Sequence, residues 1–113
     1  DNEAILGTHI VAAHTYFSRL KGLMGLKCLP SGHGLWLQPC RQVHGLFMRF
    51  PLQVLFISAQ YRVVYCVNPL KPFALSPYLS GAYSALELPM GTVEKTKTEL
   101  GHTLAFNPIY RDV

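Results

Sequence analysis

Cys40, His44 and Met48 follow one another at intervals of four residues, with His33 upstream and His9 and His14 further back. A thiolate, an imidazole and a thioether are soft or borderline ligands, a set suited to copper or zinc. If the segment turned helically, the three would share one face. The same Cys40 and His44 also make the first two parts of a thiol enzyme, in which the imidazole lowers the thiol pKa and relays its proton. The third, orienting group is missing locally, so Glu87 or Asn68 would have to supply it through the fold. The bland alternative is packing: Met48 borders an apolar strand, and a thioether fills a core well.

The chain offers no G-x-S-x-G, no Walker A and no G-x-G-x-x-G motif. Its aromatic residues point elsewhere. Trp36, Phe47, Phe50, Phe56, Tyr61, Tyr65, Phe73, Tyr78 and Tyr83 are more than one small core would normally bury. The stretch Pro69–Tyr78 contains three prolines together with Lys71, Phe73 and Tyr78, and is expected to form an aromatic rim beside His44 and Arg49. Exposed aromatics beside arginine are what partner interfaces use, and they equally suit a membrane surface or an anionic glycan. The expected binding surface therefore comprises Trp36, Cys40, His44, Met48, Arg49 and Gln53. In it Trp36 is a wall, Cys40 and His44 are polar or ligating groups, and Arg49 is an anion contact.

Charge placement narrows the chemistry further. The net charge is +4, and every acidic residue lies near an end: Asp1, Glu3, Glu87, Glu94, Glu99 and Asp112. From Ala4 to Leu86 there is no carboxylate side chain but seven cations, Arg19, Lys21, Lys27, Arg41, Arg49, Arg62 and Lys71. A paired-carboxylate glycosidase site or an oxygen-ligand Mg²⁺ or Ca²⁺ site is disfavoured in such a chain. A protein partner or an anionic ligand is expected instead. Nucleic acid is not, because the bases are scattered and form no Lys/Arg run.

With 113 residues, half of them apolar and 14% charged, the chain reads as one domain over residues 1–113 and not as a disordered one. No apolar run approaches the roughly 18 residues of a membrane span. Three cysteines without a C-x-x-C motif argue against a secreted disulfide scaffold and favour a cytoplasmic setting. The chain begins at Asp1, which leaves room for a cleaved signal peptide or a lipid anchor, and so for an exported or membrane-anchored form.

The elements that must position these residues are short. Strands are expected at Thr8–Ala13, Leu35–Gln38, Leu46–Phe50, Leu52–Ser58, Arg62–Val67, Ala82–Leu88 and Thr103–Phe106. A helix is expected from a Thr15 cap through Met24, where Phe17, Leu20 and Met24 share a face. A short second one should open at Gly91-Thr92, with Thr92 as its cap and Glu94 in its first turn. Leu52–Ser58 and Arg62–Val67 read as a hairpin joined by Ala59-Gln60-Tyr61, although no glycine stands in the turn. Gln53, the one polar side chain in its strand, reads as facing solvent at an edge. The expected fold is α+β: a β-rich, barrel-like or sandwich-like domain of about seven short strands and two short helices.

Several segments occur in a familiar order: Arg19-Leu20-Lys21-Gly22-Leu23-Met24-Gly25, Gly34-Leu35-Trp36-Leu37, Phe47 to Ile57, Arg62-Val63-Val64, and Leu86-Glu87-Leu88-Pro89-Met90-Gly91-Thr92. In these the chain resembles domain-of-unknown-function family 192, an uncharacterised bacterial and archaeal family, from about Thr8 to Leu104. The resemblance implies a small β-rich α+β domain and no established activity; some relatives are exported or membrane-anchored. Family members usually carry Asp where Gln53 stands, often another where Ser58 stands, and Gly-Asp at Gly101-His102. The function expected is that of a non-catalytic binding or accessory domain with a basic, aromatic surface and no cofactor. The alternative is a thiol-dependent enzyme or a copper or zinc site at Cys40, His44 and Met48.

Overall fold

A computed structural model describes residues 7, 9–13, 29–45, 48–105 and 108–110. One sheet organises them. Its strands are β1 (His9–Ala13), β2 (His33–Leu37), β3 (Leu52–Ile57), β4 (Val63–Leu70), β5 (Ser84–Pro89) and the two-residue β6 (Ile109–Tyr110). The spatial order is β4-β3-β5-β2-β1-β6, with β1 parallel to both β2 and β6 and the other pairs antiparallel. The sheet is open, five longer strands and a short sixth, so the expected closed, barrel-like arrangement of seven strands is corrected. One helix, α1 (Thr92–Thr96), falls among the described residues. The helix expected at Thr15–Met24 lies outside them.

Two expected strands do not form as such. Met48 is irregular, Arg49 and Phe50 form a bend, and Leu46 and Phe47 lie outside the described residues. Thr103 makes only an isolated bridge to Arg62. Conversely, β4 runs past the expected end at Val67, through Pro69 to Leu70. An edge strand tolerates proline because a missing outward N–H breaks no ladder bond. The β3–β4 turn manages without glycine: Ser58 Oγ accepts the N–H groups of Gln60 and Arg62 at 3.3 and 3.2 Å, and Tyr61 takes the left-handed conformation at φ 63°. A hydroxyl that bonds the backbone ahead of it is a standard way to hold such a turn.

Both faces of the sheet are covered, which is why β3 is buried at every position and its polar–apolar alternation is not legible as one wet face. One core layer contains Leu35, Leu37, Val43, Met48, Phe50, Leu52, Val54, Phe56 and Ala85. The other contains Ile10, Ala12, Trp36, Leu55, Ile57, Leu86 and Leu88, with Val93 and Leu104 packed against it. Side chains alternate between the two layers along β1, β2, β3 and β5, as the pleat requires, while the register shifts of the β3–β4 pairing interrupt the alternation in β4. We refer to them as the Phe56 layer and the Leu55 layer.

Candidate functional site

On the Phe56 side, residues 40–45 and 71–79 run beside each other as an irregular ribbon. His44 and Leu75 form an antiparallel bridge, flanked by Gly45 N–H to the Ala74 carbonyl at 2.7 Å and Ser76 N–H to the Val43 carbonyl at 2.9 Å. In this pattern the two residues are a non-hydrogen-bonded pair, whose side chains lie close together on one face. Further bonds fasten the ribbon along its length: Leu79 N–H to Arg41, Phe73 N–H to Gly45, Gln42 Nε2 to the Ser76 carbonyl, and Ser76 Oγ accepting Val43 N–H at 3.0 Å.

The inward side chains Val43, Ala74, Ser76 and Leu79 close the Phe56 layer or lie against it. The side chains between them face outward, Phe73 from a turn in which it takes the left-handed conformation at φ 64°. Phe73, Leu75 and Tyr78 are 70%, 68% and 63% exposed, a level unusual for large apolar groups within a hydrogen-bonded segment. Arg41, Arg49 and Lys71 are exposed beside them. Arg49 follows a turn in which Met48 N–H bonds the Gly45 carbonyl of the ribbon itself.

The six residues expected to share one surface are divided by the sheet. Cys40 packs against the Phe56 layer and Met48, 6% exposed, lies within it. Trp36 lies in the Leu55 layer, its ring centroid 6.4 Å from that of Tyr61, and Gln53 is enclosed on that side too. His44 alone of the six is paired directly with an outward residue of the ribbon, and Arg49 stands exposed nearby. Phe73, Tyr78 and Lys71 take the positions the proline-rich stretch suggested. Leu75 and Arg41 were not singled out by sequence, although the spacing Lys71, Phe73, Leu75 carried the period-two signal.

Gln53 is wholly buried, which corrects its reading as a solvent-facing edge residue: β3 lies between β4 and β5. Its Nε2 donates to Asn68 Oδ1 at 3.0 Å and to Glu94 Oε1 at 2.7 Å, while its Oε1 accepts the Val93 N–H at 2.8 Å. Asn68 Nδ2 completes the ring to Glu94 Oε2 at 2.9 Å. Gly91, in the left-handed conformation at φ 91°, offers α1 no side-chain cap, so the strand amide supplies one from outside the helix. These hydrogen bonds from Gln53 and Asn68 hold the Glu94 carboxyl below its ordinary pKa of 4.5. Asn68 is thereby committed to the Leu55 side and is not placed to orient a Cys40–His44 pair.

Cys40 Sγ donates to the Gln42 carbonyl at 3.3 Å. The other described cysteine, Cys66, is half-buried; burial first, and the Glu94 charge second, push its thiol pKa up and leave it a poor nucleophile at neutral pH. Glu87 is fully buried in the middle of the sheet, in register with Leu35 and Val54 on the Phe56 side. Among the described residues no three His, Cys, Asp or Glu side chains come together as a metal-holding group. No helix among them is long and apolar enough to cross a membrane.

A family model described as DUF192, Uncharacterized ACR, matches residues 2–106. No curated protein matches the chain significantly. Two solved structures share the fold. A protein of unknown function from Novosphingobium aromaticivorans superposes with a TM-score of 0.71 at 20% identity, covering 87% of this chain and 76% of that one. A protein from Sinorhizobium meliloti, described as a candidate transcription regulator, gives a TM-score of 0.69 at 23% identity over 81% of this chain and 76% of its own. At these identities the likeness is one of fold.

Proposed function

The chain belongs to the uncharacterised family DUF192, and from that premise we propose that it works as a non-catalytic binding domain whose contact surface is the outward face of the 40–45/71–79 ribbon. The observation that carries the reading is the exposure of Phe73, Leu75 and Tyr78 on a segment whose backbone is already hydrogen-bonded. Large apolar groups presented in this way by a preorganised segment lose little conformational freedom on binding. Arg41, Arg49 and Lys71 give the surface a positive sign, so the partner carries negative charge. Of the six residues expected in the binding surface, this reading keeps His44 and Arg49, since Trp36 and Gln53 lie on the other side of the sheet and Met48 is buried.

The test is an NMR titration of the ¹⁵N-labelled protein with an acidic, tryptophan-containing peptide as the anionic apolar probe. Shift changes are expected to gather on residues 41–45, 49 and 71–79 and to shrink at about 0.5 M salt, where exposed charges are screened. Changes centred elsewhere, or none at all, overturn the reading.

A further inference from the structure

The shape and charge of the ribbon say more about what it meets. Its exposed apolar residues, Phe73 in a left-handed turn and then Leu75, Pro77 and Tyr78, follow one another along one segment, and we read them as a ridge. A projecting ridge needs a yielding surface or a preformed cleft to receive it. Composition separates these two. Protein interfaces are depleted in lysine at their centre, whereas Lys71 stands two residues from Phe73. Lysine and arginine beside aromatic and leucine side chains are the usual composition of a segment seated at the lipid–water boundary.

The exposed acids described are also confined to one side, although Lys95 and Lys97 are exposed there with them. Among the described residues Arg41, Arg49 and Lys71 make no ion pair, and the sequence holds no carboxylate from Ala4 to Leu86. The exposed carboxylates described, Glu94 and Glu99, belong to the segment that covers the opposite, Leu55 side, through Val93 and Leu104. Among the described residues, a negatively charged plane approaching the ridge therefore meets cations and no exposed acid.

We propose that the Phe73–Leu75–Tyr78 ridge, flanked by Arg41, Arg49 and Lys71, docks on the anionic headgroup surface of a lipid bilayer. The proposal rests on the binding reading above and names its partner. Phe73 and Leu75 enter the acyl boundary, Tyr78 sits at headgroup depth, and the three cations lie over the lipid phosphates. Docking is peripheral and reversible, since three side chains and a few cations make a weak anchor compared with a spanning helix.

The experiment is flotation of the protein with phosphatidylcholine vesicles, with and without about one third phosphatidylglycerol. Binding is expected to the anionic vesicles only, weakened at about 0.5 M salt. Phe73→Ser with Leu75→Ser should lower the partition coefficient on the order of tenfold or more, because apolar insertion supplies the anchor. Lys71→Glu and Arg41→Glu should each lower it by about fivefold or more. These side chains all point to solvent, so the melting temperature of each variant serves as the folding control. No binding to anionic vesicles, or binding that the Phe73/Leu75 substitutions leave unchanged, overturns the membrane assignment. If the acidic peptide still maps to the ribbon in that event, the binding reading stands and the partner is an acidic protein; if both probes fail, the ribbon is not a contact surface.

Discussion

The amide of Gln53 and the carboxylate of Glu94 meet at 2.7 Å across the Leu55 side of the sheet, joining the middle of β3 to the first turn of α1. The same amide accepts the Val93 N–H, so one side chain serves as helix cap and as carboxylate donor.

Gln53→Leu removes all three of these bonds at a fully buried position and leaves the Val93 N–H without its acceptor. The expected cost is about 1–3 kcal/mol, read from chemical denaturation. Gln53→Glu is the sharper variant. It sets a second carboxylate beside Glu94, so the loss should be largest at neutral pH and should shrink as pH falls and one of the pair takes a proton. A loss independent of pH would mean that the Gln53–Glu94 contact is not formed.

Glu94 itself gives a pH signature. Its folded pKa lies below the ordinary 4.5, the value taken for the unfolded chain, so the folded state binds the proton less readily. Its contribution to stability is therefore complete above about 4.5 and is lost as pH falls through the lower folded value. Glu94→Gln should flatten the stability profile in that acidic window relative to the parent protein while leaving the slope near pH 7 unchanged.

Cys66 should alkylate more slowly than a model thiol at pH 8, because burial and the Glu94 charge both hold it protonated. Glu94→Gln removes the second cause and should speed the reaction modestly, since burial, the larger cause, remains. Peptide mass spectrometry after iodoacetamide pulses reads Cys66 separately from Cys40. A Cys66 that reacts as fast as the model thiol contradicts this account.

The ribbon's close approach can be probed with one methyl group. At Gly45 an added Cβ would collide with the Lys71 carbonyl and touch the Phe73 nitrogen, both backbone atoms that cannot swing aside. Gly45→Ala should destabilise the protein by roughly 1–3 kcal/mol. Gly81→Ala, where nothing lies within 4 Å and φ is not positive, should be neutral or stabilising by up to about 1 kcal/mol. Thermal melts of the pair distinguish a tight ribbon from a loose loop.

Five of the seven expected strands correspond to strands of the sheet, and α1 begins where Gly91-Thr92 marked it. These segments carry their signal locally: β-branched and aromatic runs ended by Gly, Pro or Ser, and a glycine able to take φ 91° at the helix start. The two-residue β6 was not legible, because so short a segment becomes a strand only by pairing with β1. Leu46–Phe50 was apolar for another reason: Met48 and Phe50 fill the Phe56 layer from an irregular segment.

By itself the sequence determined the β-rich α+β character, the acid-free middle and the presence of more aromatics than a core absorbs, since composition and short-range patterning encode these directly. Tertiary structure alone decided which side of the sheet each residue serves. Strand order placed β3 between two neighbours, turning Gln53 from an apparent edge residue into a buried cap for a helix some forty residues away. Trp36 and Cys40, four positions apart, would share a face of a continuous strand, but β2 ends at Leu37 and Cys40 packs against the opposite layer. Pairing of His44 with Leu75 selected the aromatic rim that faces solvent. Each of these depends on contacts between residues distant in the chain, and local pattern carries no record of which distant segment supplies the partner.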